Sequence, residues 1–307
     1  MKTLVTGGAG FIGSHLADAL LAAGHQVTVV DDLSRGRRSR VPTAARFIQA
    51  DVASDLRAVF AGSGAEVVFH LAAQIDVRRS ISDPLLDTRV NVLGTVGVLQ
   101  AAADTGVRRV VFASSGGTVY GDTDVLPTPE TAPLRPASQY GAAKVAAELY
   151  GRVYGDLYGI DFVSLRYANV YGPRQDPHGE AGVVAIFSEK MLRGEVPAIN
   201  GDGSQTRDYV YVADVVAANL VAIDGPPGAY NVGTGVECDV NELHRRLQAI
   251  IGGTAPATHG PAKAGEQRRS CLDPTLAASS LHWSPRLTLD EGLRLTVEYF
   301  RSDPGDR

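Results

Sequence analysis

The chain has 307 residues, 44% hydrophobic and 21% charged, which excludes a disordered or fibrous protein and suffices for two joined lobes around a packed core. A formal net charge of -5 offers no field for nucleic acid or an anionic membrane surface, so an anionic ligand has to be met by local arginines and helix N-termini. Apolar runs fall short of the ~20 residues that span a bilayer, and Cys238 and Cys271 have neither metal-site nor disulfide-framework spacing, so two free thiols in a reducing cytoplasm and no metal are expected.

Short apolar, β-branched runs at 4–5, 27–30, 47–48, 67–69, 110–112 and 162–165 alternate with helical spacing at 11–23, 84–104 and 138–158. This alternation predicts an α/β fold, a Rossmann-type doubly wound parallel sheet with helices on both faces. After about residue 168 glycine, proline and aspartate become frequent and the alternation breaks down. The expected division is a dinucleotide-binding domain over 1–168 and a smaller α/β substrate-binding lobe over 169–307. Segments near 207–234 are expected to return to the first domain.

The first strand runs straight into Gly7, Gly10 and Gly13 at the opening of a helix. There the backbone has to turn sharply, let a pyrophosphate approach without a Cβ in the way, and offer it free amides, those of Phe11 and Ile12 included. Asp31 follows about twenty residues later at the end of the second strand, where a carboxylate accepts ribose hydroxyls and favours NAD. Asp32, Ser34 and Gly36 continue the same loop, while Arg35, Arg37 and Arg38 keep a case for NADP open. Asp51 and Val52, and then Leu71, Ala72 and Ala73, stand at the carboxyl ends of the third and fourth strands, where open α/β sheets bind ligands, although strand caps would look the same.

The fifth strand ends in Ser114-Ser115, and Tyr140 and Lys144 follow four residues apart on one helical face. An ammonium close to the phenol would favour its ionised form and make a base of a group that otherwise titrates near 10.

Together with GGAGFIG and YGAAK, the stretches DDLS from Asp31, HLAAQ ending at Gln74, NVLGT from Asn91, SSGGTVYG from Ser114, LRYANVYGPRQ from Leu165 and RDYVYVADV from Arg207 give the chain a clear likeness. Over nearly its whole length it resembles the extended short-chain dehydrogenases/reductases, in the NAD-dependent sugar epimerase and dehydratase group, and within it the UDP-sugar 4-epimerases. The resemblance implies bound NAD, a UDP-sugar substrate and a homodimer formed through the helices at 84–104 and 138–158, whose outward faces would then be apolar. It implies that Tyr140 takes the proton of the sugar 4-hydroxyl, that Ser115 hydrogen-bonds the same oxygen, and that Lys144 holds the nicotinamide ribose. Gln74, Asn91 and Ser114 join the cofactor set. Asn169, Arg207 and Arg268 are assigned to the substrate diphosphate and Glu266 to the uridine ribose, with Gly116, Arg174 and Val183 also lining the substrate site; an exposed loop arginine remains an alternative for Arg268.

The chain departs from the family at Gly116, where the usual catalytic serine or threonine falls. Ser115 is the substitute, with Ser114 and Thr118 as alternatives. Gly117 and Thr118 stand where dehydratases carry an Asp-Glu pair, which disfavours elimination and leaves transient oxidation at C4. Glucose and galactose are the first choice of hexose; N-acetylated hexoses, uronic acids, and net reduction of a keto sugar stay open.

Overall fold

The computed structural model describes residues 1–178, 182–253, 256–262 and 267–302. The first half alternates strands β1 (Lys2–Thr6), β2 (Gln26–Asp31), β3 (Arg46–Gln49), β4 (Val67–His70), β5 (Arg109–Ser115) and β6 (Asp161–Tyr167) with helices. Those helices are α1 (Phe11–Ala22), α2 (Arg57–Ser63), α3 (Val77–Ser82), α4 (Pro84–Thr88), α5 (Gly94–Thr105), α6 (Gly116–Val119) and α7 (Gln139–Tyr158). The second half adds β7 (Asn169–Tyr171), α8 (Val183–Leu192), β8 (Ala198–Asn200), β9 (Thr206–Tyr211), α9 (Val212–Val221), β10 (Gly228–Val232), β11 (Glu237–Asp239), α10 (Val240–Ile251), β12 (Thr258–Gly260), β13 (Arg269–Ser270), α11 (Thr275–Leu281) and α12 (Leu289–Ser302). Among these residues no helix is long and apolar enough to cross a membrane.

Seven described strands form a parallel sheet in the order β10-β6-β5-β4-β1-β2-β3, a Rossmann-like arrangement whose strand order reverses beside β1. Successive strand residues point to opposite faces, so Val29, Phe69, Val111 and Val163 pack with α1 and α9 while Val30, Val68, Val110 and Phe112 pack with α5 and α7. Burial on both faces is why these strands read as continuous apolar runs. Late in the chain β10 pairs with β6 and extends the sheet, and α9 lies against α1. A smaller sheet of β11, β9, β13 and β7 gathers a separate aromatic and aliphatic core that includes Tyr171, Phe187, Tyr209 and Leu243.

The sequence suggests one continuous helix over 84–104, and the structure interrupts it. Asp83 caps α4 by accepting from the Leu86 amide, Pro84 occupies its first turn, and residues 89–93 then form a π-turn before α5. That wider turn carries Asn91 into the protein interior, where it is buried.

Gly7 adopts φ +70°, and a Cβ at Gly13 would stand 2.2 Å from the Gly7 carbonyl oxygen, so the entrance of α1 crosses the end of β1 at backbone contact. Gly13→Ala is expected to destabilise the fold by about 1–3 kcal/mol through this overpacking, read as a lower urea midpoint, with cofactor content falling in parallel.

Candidate active site

The carboxyl ends of β1, β2, β4 and β5 share one edge of the sheet, and the residues singled out in the sequence collect along it. Gly10 is the N-cap of α1 and no side chain caps it, which leaves the first-turn amides of Phe11, Ile12 and Gly13 for an anion. Asp31 closes β2 and accepts from the Ala9 amide at 3.0 Å and the Leu33 amide at 2.8 Å, tying the second strand to the glycine turn. Burial raises its carboxyl above the usual value against those two bonds. A Cβ at Gly36 would meet Asp31 Oδ1 at 2.7 Å, so only glycine lets the loop pass there, while Ser34 donates its hydroxyl to Asp32 at 2.6 Å.

Of the arginines that kept NADP open, Arg35 sits 3.9 Å from Asp76 and Arg38 lies over the Phe47 ring. Asp51 is engaged by the Ala53 amide at 2.8 Å and by Arg89 at 2.5 Å, and Val52 is buried against Gly94, so both brace the sheet edge. Leu71, Ala72 and Ala73 leave β4 half-buried, with the Leu71 amide donating to the Thr6 carbonyl and the Ala72 nitrogen beside Gly7. An uncapped helix entrance, a cradle that any Cβ would fill and a carboxylate at the end of β2 fit a dinucleotide.

A polar chain runs beneath this edge. Thr95 donates to the Asn91 carbonyl at 2.7 Å, so at the 3.0 Å contact between Thr95 and His70 the proton belongs to His70 Nε2. Nδ1 then accepts from Thr6 at 2.7 Å, and Thr6 accepts from the Ala72 amide at 3.3 Å. His70 is therefore neutral, its pKa pushed down to about 3 by burial and by the charge of Lys144. Asn91 exchanges hydrogen bonds with the backbone of Gln74 at 2.9 Å each way and donates to Asp87 at 2.9 Å; Gln74 donates to the same Asp87 oxygen at 2.9 Å.

Strand pleating separates the two serines. Ser114, on the same side of β5 as Phe112, points to α7 and donates to Glu148 at 2.6 Å, one turn beyond Lys144, inside a buried cluster where Glu148 also accepts from Ser164 at 2.8 Å and from Arg166 at 2.6 Å. Arg166 in turn donates to Tyr120 at 2.8 Å. Ser115, half-buried, is the hydroxyl that reaches the Tyr140 phenol, where it favours the phenolate. Thr118 is turned back to the Ser115 carbonyl at 3.3 Å. Of the three hydroxyls open from sequence, Ser115 is the one in contact with Tyr140.

Ser138 caps α7 by accepting from the Gly141 amide, which starts the helix one residue before Tyr140. Lys144 is buried one turn on, donates to the Ala113 carbonyl at 2.8 Å and lies 5.6 Å from the Tyr140 ring centroid. Burial lowers its pKa to about 8, with Asp87 and then Glu148 pulling the other way. Tyr140 is raised well above its ordinary value, first by burial and then by Asp87. The protein alone thus holds the phenol protonated, opposite to the direction expected from the Tyr-Lys spacing.

The second half of the chain closes over this edge. Arg207 and Ser270 pair in register on β9 and β13, and Asn169 pairs with Tyr209 across β7 and β9. Arg207 is half-buried and Arg268, just before β13, is exposed with one nitrogen 3.4 Å from Ser204. Asp208, on the opposite face of β9 from Arg207, is buried and accepts from Thr234, Gly235 and Leu272, which fixes Leu272 over the active-site turn. A Cβ at Gly116 would meet Leu272 at 2.4 Å, and one at Gly117 would meet Ser270 at 3.3 Å. The side-chain space at 116 is therefore filled by Leu272 rather than left open. Arg174 turns away, with φ +65°, to pair with Asp18 of α1 at 2.8 Å, and Val183 lines a small cavity with Asn169 and Tyr209. Glu266 lies outside the described residues. Among those residues no group of three or more His, Cys, Asp or Glu is arranged to hold a metal.

Residues 3–233 match the family described as NAD dependent epimerase/dehydratase. A UDP-glucose 4-epimerase of Mycolicibacterium smegmatis is 51% identical over 98% of this chain and 99% of that protein. The crystal structure of a UDP-glucose 4-epimerase with UDP-glucose from Thermotoga maritima superposes with a TM-score of 0.98 at 46% identity, covering 99% of this chain and 100% of the other. A Thermus thermophilus UDP-glucose 4-epimerase in complex with NAD does so with a TM-score of 0.95 at 44% identity, covering 98% and 99%.

Ser115→Ala is expected to cut turnover at least tenfold with little change in stability, whereas Ser114→Ala retains activity and loses about 1–3 kcal/mol of folding stability. Parallel rate and denaturation measurements on the two variants check this; equal, mild rate effects would exclude both hydroxyls.

Proposed function

The chain belongs to the NAD dependent epimerase/dehydratase family, and from that premise we propose that it interconverts the C4 epimers of a UDP-hexose, with UDP-glucose and UDP-galactose as the pair. The reading rests on the convergence of Ser115, Tyr140 and Lys144 at the carboxyl end of β5, on the sheet edge that carries the glycine crossing.

Tyr140 takes the proton of the sugar C4 hydroxyl while Ser115 hydrogen-bonds the same oxygen. Bound NAD supplies the hydride acceptor and later the hydride donor. The buried Lys144 ammonium supplies the positive charge that makes the phenolate accessible and would hold the ribose of the bound cofactor. After the keto sugar has turned over, Tyr140 returns the proton to O4, so protons and hydride balance within one cycle. Gly117 offers no side chain and Thr118 is bonded back to the Ser115 carbonyl, so neither serves the acid and base steps of elimination.

Arg207 and Asn169 on neighbouring strands of the small sheet, with Arg268 at its margin, hold the diphosphate, and Glu266 the uridine ribose. Affinity concentrated on the nucleotide leaves the hexose free to turn. The location we assign is the cytoplasm, in keeping with two buried, unbridged cysteines.

The assembly is a homodimer through α4, the π-turn and α7. Leu149, Val153 and Leu157 recur at four-residue intervals on α7 and are exposed, Leu157 at 70%, beside Leu93 and the 82% exposed Leu85. Leu157→Arg is expected to shift the protein to monomers in sedimentation velocity, and an unchanged dimer would exclude this face.

Incubation with UDP-glucose without added NAD, followed by proton NMR and absorbance at the NADH band, is expected to yield UDP-galactose with no net NADH. Tyr140→Phe is expected to abolish that conversion while the protein keeps its cofactor. Stoichiometric NADH accumulation would instead identify a net oxidoreductase.

A further inference from the structure

Asp87 is 1% exposed on α4, against α7. Its Oδ1 accepts from Gln74 and from Asn91, each at 2.9 Å, whereas Oδ2 is buried and has no hydrogen-bond partner. A carboxylate so placed is an uncompensated charge unless a cation answers it. Among the described residues no lysine, arginine or histidine is in ion-pair contact with it. The cation that feels it is Lys144: burial raises the Asp87 carboxyl and lowers the Lys144 ammonium, and the charge of each opposes that shift in the other.

Lys144 faces five other groups. Glu148, one turn along α7, is spent on Arg166 at 2.6 Å. His70 of β4 is neutral, as its hydrogen bonds require. Phe112 and the Ala113 carbonyl of β5 offer a ring face at 4.7 Å and an acceptor at 2.8 Å but no charge, and Tyr140 is held protonated. Asp87 is left as the anion near Lys144 that no guanidinium neutralises.

We propose that Asp87 is a positioning residue for the proton-transfer apparatus: the buried counter-charge, oriented by Gln74 and Asn91, that keeps Lys144 an ammonium inside the closed site. A buried lysine without such a partner releases its proton near neutrality. Neutral Lys144 could not stabilise a Tyr140 phenolate. Asp87 also opposes the phenolate directly, so its benefit comes through Lys144. The inference builds on the role given to Lys144 above, but it is read by titration, which needs no substrate and no turnover.

Asp87→Asn keeps an acceptor for Gln74 and Asn91 and removes the charge. The chain has four lysines, Lys2, Lys144, Lys190 and Lys263, so lysine-selective NMR of the labelled protein, as purified with its cofactor, resolves Lys144. The wild-type ammonium is expected to remain charged at neutral pH, in keeping with a pKa lowered only to about 8. In Asp87→Asn the titration and the alkaline limb of the pH-rate profile are both expected to move down by about one unit or more. Asp87→Ser, smaller and equally neutral, is expected to do the same and serves if the asparagine variant does not fold. A wild-type Lys144 already neutral at pH 7, or variants that fold and slow turnover at every pH without moving the lysine titration, would overturn the proposal.

Discussion

Everything at the functional edge depends on the contact between the entrance of α1 and the end of β1. With a Gly13 Cβ position only 2.2 Å from the Gly7 carbonyl, the helix has to start on the strand's own terminus. This sets the uncapped amides of its first turn at the point where the sheet order reverses. Asp31 is tied to the same turn through Ala9, so the second strand is set in register with the first. Thr6 extends the constraint downward, through His70 and Thr95 to Asn91, so the glycine turn and the π-turn are ends of one hydrogen-bonded chain.

Charge is placed on that frame with unequal compensation. Beneath α7, one turn beyond Lys144, Glu148 and Arg166 neutralise each other and are surrounded by hydroxyls from Ser114, Ser164 and Tyr120, an arrangement that satisfies both ions and fixes the strand. One turn back along α7, Lys144 is buried without an ion pair to the buried Asp87, and Tyr140 is raised. The first cluster is structural because its members satisfy one another. The second is unsettled in the protein alone, as a site is when its charge balance is completed by a ligand.

What could be read in the sequence divides along the same line. The strand, glycine turn and helix, and the Tyr140-Lys144 spacing, are local patterns fixed by pleat and helix period, and the parallel sheet follows from its buried β-branched runs. Choosing among Ser114, Ser115 and Thr118 is out of reach of the sequence, since it depends on Glu148 and Arg166, thirty or more residues away, engaging Ser114. Nothing around Asp87 distinguishes it from an exposed helical aspartate; the π-turn that brings Asn91 to it is invisible to a 3.6-residue periodicity. Arg174 reads like a substrate arginine, and only the packing of its loop on α1 gives it to Asp18.

The departure at Gly116 has a consistent physical account. Leu272, whose amide is held by Asp208, fills the space into which a side chain at 116 would project, so a hydroxyl there would require the Leu272 side chain to move. With Leu272 in place, the hydroxyl has to come from the preceding residues, and Glu148 takes that of Ser114, which leaves Ser115 for Tyr140. The missing family hydroxyl and the buried Glu148-Arg166 pair are therefore two sides of one solution. The ion pair holds the Ser114 hydroxyl and the Leu272 side chain holds the space at 116, which leaves Ser115 as the hydroxyl beside Tyr140.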